Sequence, residues 1–280
     1  MCVSGTTEIV RERAERGEVP LISRRALLAS GAGVAAAAAI PAPALAASHG
    51  GRKKRHVQDL THVFTEGFPV YSFDPPKRRT LVTIQKGGFY SQEWTFGEHS
   101  GTHTDAPGHF IPGGRLTPEL RLRELMVPVA VVDISERAEK NPDAAVRPRD
   151  LKRYEKRYGR IPRRAAVFMY SGWETRVDDP EAFKNPDAQG TFHFPGWSGE
   201  AVEWLLENRR ISAIGVDTLS LDIGASTTFD AHLTLLGADK YGVENLANLK
   251  RIPPAGAEVF IGVIPWEEGS GGPCRAIAHW

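Results

Sequence analysis

The sequence is poor in the features of a disulfide scaffold, a nucleic-acid binder or a membrane span. Cysteine occurs only twice, at Cys2 and Cys274, too few for a disulfide framework. Neither charge sign dominates: 35 basic and 34 acidic side chains leave a formal charge of +1. The densest basic stretch, GRKKR at Gly51 to Arg55, reads as a solvated linker, so nothing points to nucleic acid. The main apolar run, Ala26 to Ile40, falls short of the roughly twenty residues a bilayer span needs. No internal repeat or low-complexity break interrupts the chain beyond residue 56. The G-x-S-x-G of a serine hydrolase is missing as well: GWSGE at Gly196 to Glu200 fails at its fifth position. Cys274, in GGPCRA, has no local partner to activate it and reads as an inert, buried thiol.

The short apolar run has another use. Arg24 and Arg25 precede it, Pro41 and Pro43 close it, and Ala44 to Ala46 supply the small residues of a cleavage site. This segment resembles a Tat export signal. Residues 1–46 are therefore read as the signal, 47–56 as a linker and 57–280 as one domain. The mature protein is expected in the periplasm or outside the cell, with no stable membrane span after cleavage. Cleavage removes Cys2 and leaves Cys274 alone, so stability has to come from a packed core or a bound metal.

The rest alternates between two patterns. Val127 to Ile134, Ala165 to Tyr170, Ile211 to Asp217 and Glu258 to Ile264 are short β-branched or apolar runs, expected as buried strands. Between them lie helical stretches, one over Arg149 to Tyr158 and one opening at Ser198, a natural N-cap with Glu200 in the first turn. Thr80 to Phe96 reads as a hairpin turning at Gly87 and Gly88. The expected class is mixed α/β, a mostly buried β-sheet flanked by helices.

Histidine is scarce, nine in 280, yet three of them fall in GEHSGTHTDAPGHF with an aspartate. His99, His103, Asp105 and His109 share one parity, so an extended chain would aim all four to one side. Imidazole and carboxylate together suit zinc or manganese. Gly101 permits close backbone approach and Pro107 stiffens the turn that returns His109. HSGTHTDAPGH resembles, at every fixed position, the H-x-G-T-H-x-D-x-P-x-H signature of the cyclase family of metal-dependent hydrolases, to which bacterial kynurenine formamidase and isatin hydrolase belong. That resemblance implies that His99, His103 and Asp105 are metal ligands and His109 the acid/base residue. It also implies that His232 and Glu244, twelve residues apart in AHLTLLGADKYGVENL, complete a second position bridged by Asp105. One or two divalent ions, Zn2+ or Mn2+, and a homo-oligomer follow from the same resemblance.

Aromatic residues are concentrated in GFYSQEWTF and TFHFPGW, and Trp94 and Phe89, just before the ligand segment, are the candidates for stacking on a flat substrate. The expected function is metal-assisted hydrolysis of a C–N amide bond, in an arylformamide or a cyclic amide of a small aromatic molecule. The export signal weighs against a dedicated tryptophan-catabolic step. A non-catalytic extracytoplasmic metal- or ligand-binding protein is the alternative from another class, disfavoured by His109; a cyclase or lactonase reaction is a third. Replacing Arg24 and Arg25 with lysine should trap the precursor in the cytoplasm, and mass spectrometry of exported wild-type material should find an N-terminus near Ala47. Unchanged export of the lysine variant would remove the Tat reading.

Overall fold

The computed structural model describes residues 55–72 and 74–280; the segment expected to be an export signal, and the expected linker up to residue 54, lie outside the described residues. Twelve strands occur among them: β1 (Val57–Asp59), β2 (Lys77–Val82), β3 (Ser91–Thr95), β4 (His103–Asp105), β5 (Met126–Asp133), β6 (Ala145–Val146), β7 (Ala166–Tyr170), β8 (Gly196–Trp197), β9 (Ala213–Val216), β10 (Tyr241–Glu244), β11 (Ala257–Val263) and β12 (Gly271–His279). Three helices matter to the core: α1 (Pro148–Tyr158), α2 (Gly199–Asn208) and α3 (Asp230–Gly237). No helix among the described residues is long and apolar enough to cross a membrane.

Arg78–Trp94 forms a small unit of its own, and the main unit comprises Arg55–Lys77 and Thr95–Trp280. In the small unit β2 pairs with β3, and Arg79 forks onto Glu93 at 2.6 and 2.9 Å. The expected turn at Gly87 and Gly88 is a single helical turn, Ile84–Gly87, ended by Gly88 in the left-handed conformation.

The main unit corrects the expected sheet. Strands run in the order β12-β11-β5-β7-β9-β10-β4, and β4 also pairs with β12, so seven strands close into a barrel, with β1 added alongside β12. The four β-branched runs found in the sequence are β5, β7, β9 and β11. The first three pair in parallel, and β10 extends the parallel set. Their continuous apolar character follows from burial on both faces. Val129, Val131, Phe168, Val243 and Ile261 belong to one core cluster, which fills the barrel. Their alternates Ala130, Val132, Val167, Met169, Ile214 and Val216 belong to a second, with Leu151 of α1, Leu205 of α2 and Leu235 of α3. Helices thus cover the parallel part of the outer wall, while Met126 and Phe260, paired across β5 and β11, stay exposed.

Helix starts follow local chemistry. Pro148 occupies the first turn of α1, where its missing N–H costs nothing. Ser198 Oγ accepts the Ala201 N–H at 3.2 Å to cap α2. The α3 start is capped from a distance: Asp222 accepts the N–H groups of Ala231 (2.8 Å) and His232 (3.2 Å). Asp217, beyond β9, accepts from the Ser171 and Gly172 amides and the Ser171 hydroxyl and so joins two strand ends.

Phe168 is fully buried in the barrel, its ring so close to Gly215 that a Cβ there would sit 2.7 Å away. Phe168→Ala should lower unfolding free energy by about 3–5 kcal/mol through lost burial and a residual cavity. Met126→Ala, at an exposed position, should stay within about 0.5 kcal/mol. Urea titration of both variants checks this.

Candidate metal centre

The ligand-rich segment is built differently from a single extended strand. Only His103–Asp105 is strand. Before it Gly101 adopts φ +69°, with the Phe64 ring packed where a Cβ would be; after it Pro107–His109 make one 3-10 turn. Shared parity therefore explains His103 and Asp105, whereas His99 and His109 reach the same place through turns. Thr104 alternates with them, so His103 and Asp105 point away from the barrel interior. His103 lies opposite Glu244 on β10, and Asp105 lies opposite Gly242 on β10 and Gly271 on β12. Both flanking glycines leave room: a Cβ would come within 3.1 Å of Asp105 Oδ2 at Gly242 and 2.3 Å of His99 Cε1 at Gly271.

Five side chains converge there. His99 Nδ1 is 2.6 Å from Asp105 Oδ1, and His103 Nε2 is 3.3 Å from Asp105 Oδ1 and 3.4 Å from Glu244 Oε2. His232, on α3, places Nε2 3.1 Å from Glu244 Oε1 and 3.9 Å from Asp105 Oδ2. Folding thus joins His232 and Glu244 from a helix and a strand, as Gly237 and Gly242 between them require. The five sort into two triads, His99–His103–Asp105 and Asp105–His232–Glu244, each with its ligand atoms within 4.8 Å of one another.

Each ligand-type histidine is oriented by its other nitrogen. His103 Nδ1–H donates to the Gly101 carbonyl at 2.9 Å, and His232 Nδ1 meets Asp222 Oδ2 at 2.6 Å. His99 Nε2 meets Ser270 Oγ at 3.0 Å. Such outer contacts set the tautomer that faces a metal. Glu244 Oε1 in turn accepts the Leu221 N–H at 2.9 Å.

The electrostatics describe a site in need of positive charge. Burial pulls His103 down, but Asp105 and Glu244 outweigh it and lift the ring to about 9. His232, likewise opposed by burial, is lifted to about 10 by Asp222, Glu244 and Asp105. Burial raises Asp105, yet His103 and His99 hold it well below the usual carboxylate range. Glu244 goes up, through burial and the neighbouring Asp105 charge. One buried acceptor, Asp105 Oδ2, has no hydrogen-bond partner among the described residues. Two buried carboxylates, three aimed imidazoles and an orphaned oxygen suit a divalent cation.

His109 stands apart from both triads. Its ring stacks on His99 with centroids 3.7 Å apart, and burial is the main cause of its fall to about 4. It is therefore neutral at pH 7. A cavity of about 300 Å³ opens over the cluster, lined by His109 and by Tyr71, Phe110, Phe229, Leu219 and Ser220. Phe110 stacks on His232 at 4.7 Å. Phe89 and Trp94 belong to the small hairpin unit, and within the main unit the rings lining this cavity are Tyr71, Phe110 and Phe229. Sequence reasoning missed those three, although Phe110 adjoins His109 and Phe229 precedes the helix of His232. Cys274 is buried, and burial pushes its thiol to about 12, which makes it inert.

A closed α/β barrel bearing a buried histidine–carboxylate cluster on its outer wall is the class that this geometry defines. The chain belongs to the cyclase family: the family described as "Putative cyclase" matches residues 58–223. It is 33% identical over 240 residues to isatin hydrolase of Roseibium aggregatum, across 79% of this chain and 90% of that protein. Kynurenine formamidase of Salinibacter ruber is 28% identical over 179 residues, covering 64% and 74%. Among solved structures, isatin hydrolase A from Ralstonia solanacearum matches with a TM-score of 0.77 at 32% identity, over 86% of this chain and 99% of that one.

His103→Ala and Asp105→Ala should reduce bound metal to background by elemental analysis. Chelation of the wild-type protein should lower its melting temperature, since a ligand at a thousand times its Kd contributes about 4 kcal/mol. Full metal content in both variants would put the ion elsewhere.

Proposed function

We propose that this chain is a metal-dependent hydrolase that cleaves the C–N amide bond of a small aromatic substrate, a cyclic amide or an arylformamide. The observation that carries this reading is the pair of triads sharing Asp105 on the floor of an aromatic-walled cavity. Similarity to proteins named isatin hydrolase and kynurenine formamidase supports the reaction class. His99, His103, Asp105, His232 and Glu244 would hold one or two ions, zinc or manganese. Such an ion, when bound, lowers the pKa of water toward about 7 and polarises a carbonyl.

The protein's own part is orientation and proton transfer. Tyr71, Phe110 and Phe229 form walls against which a flat ring stacks and from which water is excluded. His109, neutral and lining the cavity, takes a proton from the attacking water. Its conjugate acid is strong because the site disfavours the charged ring, so it releases that proton readily to the leaving nitrogen as the C–N bond breaks. The resemblance of residues 1–46 to a Tat signal supports action outside the cytoplasm.

Purified protein, loaded with Zn2+ or Mn2+, should hydrolyse isatin or N-formylkynurenine; failure on both would remove the amidase reading for these two classes. His109→Ala should keep its metal while kcat falls about 10²–10⁴-fold with a smaller change in KM. Loss of metal from that variant would make His109 a ligand, and an unchanged rate would assign the proton transfer to another group.

A further inference from the structure

His99 is the one ligand-type histidine whose orientation depends on a side-chain relay across the barrel seam. Its ring lies against the backbone at Gly271, where a Cβ would lie 2.3 Å from Cε1, and the His109 ring is stacked on it at 3.7 Å. Stacking fixes the plane of an imidazole but leaves its two edges interchangeable by a flip about the Cβ–Cγ bond. Something in the plane of the ring has to choose. Ser270 Oγ, 3.0 Å from Nε2, could donate to that nitrogen or accept from it. Glu98 settles the direction: its Oε1 takes the Ser270 hydroxyl proton at 2.5 Å and its Oε2 takes the Ser270 N–H at 3.1 Å. With its own proton committed to a carboxylate, Ser270 Oγ can only accept from His99 Nε2–H. Nδ1 is then the nitrogen that faces the cluster, 2.6 Å from Asp105 Oδ1, where a bound ion would take the place of the proton they share.

We infer that Glu98 and Ser270 are positioning residues that fix the edge and tautomer of His99 for metal binding. The inference rests on the metal reading of the cluster. Neither residue belongs to a ligand triad or lines the cavity; both act through His99. The arrangement parallels the Asp222 contact to His232 and the Gly101 carbonyl contact to His103, but here a hydroxyl is interposed and a carboxylate enforces its polarity. The relay also ties the ligand to the β11–β12 connection, because Ser270 O accepts the Ala106 N–H at 2.9 Å.

The test measures Zn2+ and Mn2+ dissociation constants by competition with a chelator, on the full chain stripped of metal. Wild type is compared with Ser270→Ala, Ser270→Thr, Glu98→Gln and the Glu98→Gln/Ser270→Ala pair. Loss of such an outer contact typically costs 10–100-fold in affinity, so Ser270→Ala should weaken binding by that factor. Ser270→Thr, which keeps the hydroxyl, should restore it to within about threefold of wild type. The double variant should lie close to Ser270→Ala, since Glu98 hydrogen-bonds Ser270 and stands 3.8 Å from His99 Nε2, beyond hydrogen-bond reach. Melting of the stripped proteins separates this from a folding defect: the relay predicts an affinity loss in variants whose metal-free melting matches wild type. Wild-type affinity in Ser270→Ala and in Glu98→Gln would overturn the relay while leaving the metal reading intact, as would fully additive losses in the double variant. A wild-type protein that takes up neither ion would overturn the metal reading, and the relay with it.

Discussion

Closure of the barrel depends on three residues. His103, Thr104 and Asp105 bridge β10 and β12, and without them the remaining strands form an open sheet with two exposed edges. The pairing that closes the wall also sets the chemistry, because a one-residue slip would turn His103 and Asp105 inward and put Thr104 in their place. Two glycines opposite Asp105 make the seam passable for a carboxylate and an imidazole. Fold and site are therefore specified by the same short ladder, and neither can shift register without the other.

Around that seam the charges do not balance on their own. Asp105 and Glu244, both buried, are pushed in opposite directions, one held down by imidazoles and the other driven up by burial and then by the Asp105 charge. His103 and His232 respond by holding protons far above their usual range. A divalent cation held by these residues would take the place of those protons, since metal uptake and proton release are linked in such sites. The polar groups one layer out complete the arrangement, each sending one nitrogen of its histidine toward the cluster.

Much of this was legible in the sequence, for identifiable reasons. The runs over Val127–Ile134 and Ala165–Tyr170 announced themselves because both of their faces are buried. Ser198 announced a helix because a cap needs only its own neighbours. Closure was hidden: β4 is three residues with polar side chains outward, and β12 opens with Gly271, Gly272 and Pro273, which read as a loop. A sheet flanked by helices was the natural reading, and the barrel corrects it. Clustering of His99, His103, Asp105 and His109 was visible from spacing, though the extended strand that would explain it is not what brings them together. His232 and Glu244 became candidates only through family resemblance, because a helix and a strand must fold together before their spacing means anything. The ring wall of Tyr71, Phe110 and Phe229 is assembled from three distant segments and left no periodic trace.

That wall has one consequence for how such a protein can change. Tyr71, Phe110 and Phe229 sit on connecting segments, outside every strand of the barrel, whereas the ligand-type residues are held by its hydrogen-bonded ladder, by the head of α3 or by turns at the seam. Substitution at the rings alters the shape presented to a substrate and leaves the ladder's register untouched. Drift in what the cavity accepts can therefore run far ahead of drift in how bonds are broken, so that chains sharing this core diverge first in diet and last in chemistry.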